Sequence, residues 1–244
     1  ESKDPRYIMR LAVAGGFNGV AIQIGIAEQF FWEYAGEIPL ILKLNGKTEI
    51  PSSDNALSPL NATVEEAVRL GADAVGYTLY TGSPAQDRDF EQLRLVRRDA
   101  HRFGMPLIVW SYPRGSAIEV KGGHDSFYAV DYAARVASEL GADVVKLNFP
   151  NPSKRMNVPG AYDHDVDAAA AIDAVVASAG RSLVLISGGE RVGDDAMFEK
   201  ARLSLNAGAT GLIFGRNVWQ RPLDESLRFV ERLHAELEKH PSIA

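Results

Sequence analysis

One unit recurs along this chain: an amphipathic helical stretch, a glycine turn, then a short apolar run. Gly71-Ala72-Asp73 and Gly141-Ala142-Asp143 make the junction, and Gly208-Ala209-Thr210 and Gly16-Phe17-Asn18 are variants of it. The glycine suits the left-handed position just past a helix, where a Cβ is penalised. Helix, turn and strand repeated in this order form the grammar of a parallel α/β fold. The apolar runs show no polar alternation, as expected of strands covered on both faces.

Seven such runs are expected to be strands: 19–24, 39–44, 73–80, 106–112, 143–149, 182–187 and 211–215. Helical patterns lie between them, over 5–14, 26–35, 63–70, 87–103, 126–140, 163–179, 194–207 and 223–238. The first has Asp4 as its N-cap and Pro5 at its first position. The third opens on a Thr63-x-x-Glu66 capping box. A closed barrel of this type has eight strands. A missed strand, an open sheet, or a first strand preceding Glu1 would each account for seven. The last is favoured, because residues 4–15 look like the helix that follows a first strand. The expectation is an α/β chain, a (β/α)8 TIM barrel with its first strand absent from this chain, and residues 1–244 in a single domain.

Bulk properties narrow the function classes. With 244 residues, 46% of them hydrophobic, the chain can bury a large core. A net charge of −6 argues against nucleic acid as a partner. The absence of cysteine excludes disulfides, thiolate catalysis and cysteine-bound metals. No apolar run approaches the roughly 20 residues that span a bilayer, so no membrane association is expected. The N-terminus lacks a signal-peptide pattern. These properties fit a cytoplasmic protein.

In a parallel α/β barrel the active site lies at the carboxyl ends of the strands. Lys146 stands inside the run 143–149. A buried lysine loses hydration, which disfavours its charged form, and a neutral amine can attack a carbonyl to give a Schiff base. The opposing expectation is a lysine whose ammonium reaches solvent or an acid. Trp110, Tyr112 and Arg114 alternate at the next strand end, as residues on one face do. Facing inward, Tyr112 could transfer protons, Trp110 could wall a pocket and Arg114 could hold an anion, though Trp110 alone fits a core position as well. Lys43 fits a pocket lysine and an exposed strand end equally.

The last two strand-end loops carry Ser187-Gly188-Gly189 and Gly215-Arg216. Glycines admit close approach of backbone N–H groups to an anion, Arg216 adds charge, and phosphate sites of such barrels often use this pair of loops. Asp73 and Asp143 lie at strand starts, on the opposite rim, where turn and helix-end structure is their expected role. The five histidines have no ligand spacing, so no metal site is expected, and Asp163–Asp167 reads as a helix start.

Four segments together, 39–48 (PLILKLNGKT), 109–115 (VWSYPRG), 187–189 (SGG) and 215–220 (GRNVWQ), resemble the archaeal-type class I fructose-bisphosphate aldolases. The resemblance runs over essentially the whole chain. It implies a (β/α)8 barrel, chemistry without metal or other cofactor, a phosphorylated sugar substrate and a homo-oligomer. It assigns the Schiff-base role to Lys146 and proton transfer to Tyr112. It makes Trp110 a pocket wall, and makes Arg114, Ser187, Gly188, Gly189, Gly215 and Arg216 substrate-phosphate positions. The implied activity is cleavage or formation of fructose 1,6-bisphosphate. The alternatives are a Schiff-base synthase or thiolase on another phosphorylated carbon chain, such as an aminodideoxyheptulosonate synthase, and a sugar-phosphate-binding barrel without catalysis. Two departures stand out. The family's catalytic aspartate, in an Asp-His-Gly segment on a first strand, has no counterpart here, and residues 146–152 (KLNFPNP) are less polar than the family's usual version.

Overall fold

The computed structural model describes residues 3–188 and 193–240. The seven expected strands all form: β1 Val20–Gln23, β2 Leu40–Lys43, β3 Ala74–Leu79, β4 Leu107–Ser111, β5 Val144–Leu147, β6 Leu183–Ser187 and β7 Gly211–Ile213. They make one sheet in sequence order, every neighbouring pair parallel. Helices alternate with them: α1 Pro5–Ala14, α2 Ile24–Phe30, α3 Val64–Arg69, α4 Gln86–Phe103, α5 Ser116–Glu119, α6 Phe127–Glu139, α7 Ala168–Ser178, α8 Asp194–Asn206, α9 Arg216–Trp219 and α10 Leu223–Leu237. Among the described residues this is a (β/α) barrel-type sheet with one stave fewer than eight. No helix among them is long and apolar enough to cross a membrane.

Parity along each strand sets two faces. Leu40 and Leu42 of β2, Val75, Tyr77 and Leu79 of β3, and Leu107 and Val109 of β4 pack outward into the helix-covered core, with Val145 and Leu147 of β5. The intervening positions turn inward. Ala74, Ile108 and Trp110 form a small interior cluster, and Ala21 of β1 and Ile213 of β7 both pack on it. Residues from the two ends of the strand order thus meet one interior, so the sheet is curled.

The repeated glycine turn proves to be a clamp between neighbouring strands. Gly16, Gly71, Gly141 and Gly208 take the left-handed conformation. Two residues on, Asp73 at the foot of β3 accepts a hydrogen bond from the Leu40 N–H of β2 at 2.8 Å. Asp143 at the foot of β5 does the same for the Leu107 N–H of β4, also at 2.8 Å. Thr210 Oγ1 accepts from the Val184 N–H of β6 at 3.3 Å. In these three motifs the side chain satisfies an amide at the start of the preceding strand, the first residue of β2 and of β4 and the second of β6, a group that would otherwise be orphaned at the sheet's lower rim.

Helix boundaries follow their caps. Asp4 accepts from Arg6 N, and the Thr63/Glu66 box is complete. The helix expected over 163–179 begins later: Asp167 is its cap, accepting from Ala170 N at 2.8 Å, and Gly160–Tyr162 form a separate 3-10 turn. Any aspartate of the run 163–167 could have started that helix, and the last one does. The stretch 26–35 divides into α2 and a 3-10 turn, Phe31–Tyr34. The short α5 and α9 carry no amphipathic period and are not evident in the sequence.

Candidate active site

The inner face is built from strand register. Trp110 pairs with Lys146, Thr78 with Trp110, and Lys43 with Gly76. Residues paired across parallel neighbours share a face, so Lys43, Gly76, Thr78, Trp110 and Lys146 line one interior wall near the carboxyl ends of β2 to β5.

Lys146 is 7% exposed, so the solvent-pointing alternative fails. Its Nζ donates to the Tyr112 hydroxyl and lies 4.4 Å from the centre of that ring. Burial pushes its pKa down to about 7, from 10.5 for a free lysine. A large share of this amine is neutral near pH 7, as a nucleophile toward a carbonyl requires. Tyr112, just past β4, is fixed by its N–H bond to Leu79 O at 2.9 Å.

Lys43 also lies in the wall, and the exposed strand end is thereby set aside. Its Nζ donates to Thr78 Oγ1 at 2.6 Å and sits 4.0 Å from the centre of the Trp110 ring. Burial, and secondarily the charge of Lys146, push its pKa down to about 7. Trp110 is 8% exposed: it belongs to the interior cluster and walls the site at once. Gly76 makes room for this arrangement. A Cβ there would lie 2.6 Å from Trp110 Cζ3 and 2.9 Å from Lys43 Cδ.

Behind the wall, Asn45 fixes Thr78. Its amide donates to Thr78 O at 2.8 Å and to Ser58 O at 3.1 Å, and its Oδ1 accepts from Thr78 N at 2.7 Å. Gln23 of β1 donates to Asn45 O at 3.2 Å and accepts from Asn61 at 2.9 Å. None of these neutral residues stands out in the sequence, because a buried amide and a surface amide have the same letter.

The phosphate-site candidates fall on both sides of Lys146. Ser187 Oγ donates at 3.3 Å to Asn148 Oδ1, two residues along the chain from Lys146. Gly188 lies against the loop after β7: a Cβ there would be 2.8 Å from Phe214 and 3.0 Å from the Asn217 amide. Gly215 precedes α9, which begins with Arg216. These two loops therefore meet. Gly189 lies outside the described residues. Arg114 is on the other side, its guanidinium 5.4 Å from the centre of the Tyr112 ring and donating to Pro113 O at 2.7 Å. Gly76, Thr78 and Asn148 are not singled out from sequence. Asn148 was detectable as the position two beyond Lys146, on the same strand face.

A family model for DeoC/LacD family aldolases matches residues 1–221. A "fructose-bisphosphate aldolase class 1" of Thermoproteus tenax is 44% identical over 234 residues, 96% of this chain and 80% of that protein. A "fructose-bisphosphate aldolase/6-deoxy-5-ketofructose 1-phosphate synthase" of Methanocaldococcus jannaschii is 33% identical, over 96% of this chain and 73% of its own length. The fold superposes with a TM-score of 0.82, at 41% identity, on an archaeal fructose-1,6-bisphosphate aldolase solved with its catalytic lysine bound to the carbinolamine intermediate. That match covers 96% of this chain and 84% of the other. With a family model spanning most of its length and such relatives beside it, the chain belongs to the DeoC/LacD family of aldolases.

Proposed function

We propose that this protein is a Schiff-base-forming class I aldolase that cleaves or forms fructose 1,6-bisphosphate, with Lys146 as nucleophile and Tyr112 as proton-transfer partner. The observation that carries the reading is the Lys146 amine: withdrawn from water, held near neutrality and in hydrogen-bond contact with Tyr112 at the mouth of the sheet. The aldolase names of its relatives support the choice of substrate.

The neutral amine adds to the C2 carbonyl of the ketose, giving a carbinolamine. Loss of water leaves an iminium on Lys146. The C3–C4 electron pair then moves into the C2–C3 bond and neutralises the iminium as an enamine, while the C4 hydroxyl gives its proton to a general base and C4 leaves as an aldehyde. Protonation at C3, assigned to Tyr112, and hydrolysis release glycerone phosphate and free Lys146. The iminium itself is the electron sink, so the reading calls on no metal or other cofactor. Ser187, Gly188, Gly189, Gly215 and Arg216 are assigned to one substrate phosphate and Arg114 to an anion on the opposite side. Fixing the ends of the substrate holds C2 against Lys146 and removes most of the entropic barrier to attack. Trp110 walls the pocket between them. We also read the chain as a cytoplasmic homo-oligomer of single-domain subunits, without nucleic-acid or membrane partners, on the strength of its family.

A second reading, a Schiff-base synthase acting on another phosphorylated carbon chain, is favoured by the double name of one relative and by the uncharged Asn148 beside Lys146. Borohydride reduction in the presence of fructose 1,6-bisphosphate, followed by peptide mass analysis, tests both. The aldolase reading expects a stable adduct on Lys146, none in Lys146→Met, and release of two triose phosphates in the absence of reductant. An adduct without triose release favours the synthase. No adduct at Lys146 with any phosphorylated ketose overturns both.

A further inference from the structure

A ketose bisphosphate carries two phosphates, and glycerone phosphate takes away only one of them. Resting on the proposed aldolase function, we propose that Lys47 joins Arg114 in holding the other phosphate, the one carried on the aldehyde product, and that Glu49 competes with it for the Lys47 ammonium.

The glycine loops after β6 and β7 reach Asn148, two residues from Lys146, so they suit the phosphate nearest the carbon that Lys146 attacks. The far phosphate then points to the loops after β2, β3 and β4. Pairing of β3 with β4 continues past the strands: the Tyr112 N–H donates to Leu79 O at 2.9 Å and the Arg114 N–H to Thr81 O at 3.0 Å. Tyr112 and Arg114 therefore keep the inward parity of Trp110. Lys47 enters from the loop after β2. Gly46 lets it reach the mouth: a Cβ on Gly46 would stand 2.7 Å from the Gln23 amide, and Gln23 pairs with Lys43 in the wall. Lys47 Nζ lies 5.9 Å from the centre of the Tyr80 ring, and the Tyr80 hydroxyl accepts from Ser58 Oγ at 3.3 Å. Burial is the main influence on that hydroxyl and raises its pKa. The Ser58 bond and the charge of Arg114 pull it down, and the charges of Glu49 and Asp89 add to the rise. Lys47, Arg114 and Glu49 thus surround one tyrosine.

The charge balance of this corner invites an anion. The Lys47 side chain is 12% exposed, yet among the described residues its one ion pair is with Glu49, at 3.6 Å, and the Glu49 side chain is 88% exposed. That separation is too long for a charge-assisted hydrogen bond. One Lys47 N–H donates to Thr48 O at 3.2 Å, which leaves the rest of the ammonium for a ligand. Arg114 donates to Pro113 O at 2.7 Å and makes no ion pair among the described residues. Two cations that retain donors match a phosphate dianion, which offers shorter and stronger bonds than the Glu49 contact. An ion pair with so exposed a carboxylate is worth little in water, so Glu49 yields to a phosphate at small cost. A ketose without the far phosphate leaves the Lys47–Glu49 pair intact and gains nothing from either cation. Discrimination between a bisphosphate and a 1-phosphate therefore sits in these three residues, apart from the chemistry at Lys146.

The test compares fructose 1,6-bisphosphate with fructose 1-phosphate, which has the same C2, C3 and C4 and lacks the far phosphate. Wild type should favour the bisphosphate in kcat/KM. In Lys47→Met, kcat/KM for the bisphosphate should fall by about 10- to 100-fold, the range for a lost charged hydrogen bond, against less than about threefold for fructose 1-phosphate. In the direction of synthesis, KM for glyceraldehyde 3-phosphate should rise in parallel, while borohydride trapping of glycerone phosphate on Lys146 persists. Lys47→Arg should keep most of the preference. Glu49→Gln should lower KM for the bisphosphate by about two- to fivefold and spare fructose 1-phosphate. Equal losses on both sugars in folded Lys47→Met overturn the proposal by making Lys47 structural. Wild type that cleaves both sugars equally well, or Lys47→Met that retains the full preference, overturns it too. An unchanged KM in Glu49→Gln overturns the competition assigned to Glu49. Wild-type protein that forms no adduct at Lys146 with either sugar removes the aldolase reading itself, whatever Lys47 does.

Discussion

Gly76→Ala is the smallest change that should disturb this site. The new methyl group would stand 2.6 Å from Trp110 Cζ3, 2.9 Å from Lys43 Cδ and 3.0 Å from Trp110 Cη2. Carbon atoms pack at about 3.5–4.0 Å, so the indole edge must retreat by about 1 Å. The Lys43 stem can rotate away, but the ring is held by its strand and by the interior cluster, so the strain falls mainly on Trp110. Gly76 has no left-handed backbone to defend: it is absent from the positive-φ glycines. Alanine there even gains about 0.4–1 kcal/mol by restricting the unfolded chain. Overpacking of a tight interior typically costs about 1–3 kcal/mol, so a net loss of about 1–2 kcal/mol is expected. For a chain of this size that lowers Tm by roughly 2–8 °C. Calorimetry measures it directly. Glycerone phosphate trapping on Lys146 should slow as well, because Trp110 is the neighbour of Lys146 in the wall. The double variant Gly76→Ala/Trp110→Leu should recover part of the lost stability by removing the obstructing ring. A Gly76→Ala protein as stable as the wild type, with unchanged trapping, would refute the claim that this glycine exists to seat Trp110 and Lys43.

Three further outcomes can be checked with the same preparations. Asn45→Ala strands the buried N–H and carbonyl of Thr78, each worth about 1–3 kcal/mol, while the Ser58 carbonyl keeps its bond from Gln92, so Tm should fall by roughly 4–24 °C; a drop under about 2 °C would show that water replaces the amide. Tyr112→Phe should keep the adduct on Lys146 but lose C3 proton exchange by about 100-fold or more, and intact exchange would take proton transfer away from Tyr112. Folding lowers both Lys43 and Lys146 from 10.5 to about 7, so between those values the unfolded chain holds more protons and stability should rise with pH; below about 7 the penalty is fully present. Lys43→Met should therefore be more stable than wild type at pH 7, on the order of a few kcal/mol, and should flatten the rise seen by urea unfolding. A less stable variant with an unchanged slope would contradict the lowered proton affinity.

The order and number of strands were legible because each is an apolar run closed by a glycine turn. The turns were legible because only glycine is comfortable there. What the runs hid was parity. In 39–44, leucine and isoleucine occupy both faces, so nothing in the letters says that Leu40 and Leu42 go outward and that Ile41 and Lys43 go inward. Lys43 was undecided for that reason. Lys146 was easier, since an ionisable residue in the middle of an apolar run is buried on either face. The role of Asp73 and Asp143 was legible only in part: their rim was evident from position, but the partner amide belongs to another strand, 33 or 36 residues away. Asn45 and Thr78 gave no signal, since neutral polar residues acquire meaning here only through what they touch; Asn148 was traceable only by its spacing from Lys146.

That parity divides the labour of the molecule. Outward positions and the lower-rim clamps bury apolar surface and satisfy strand-end amides, and changes there should appear as altered stability with kinetics intact. Inward positions at the upper rim include two amines that fold without a counter-ion among the described residues, an arrangement that opposes folding at neutral pH and below. A carboxylate placed beside them would lessen that penalty and raise the proton affinity of both amines. The clamps at one end of the strands and the Asn45 lock behind Thr78 supply the rigidity that lets the other end keep its amines unpaired. Stability and reactivity are thus set by opposite faces of the same strands, and the wall retains its lysines because the rest of the sheet can carry their penalty.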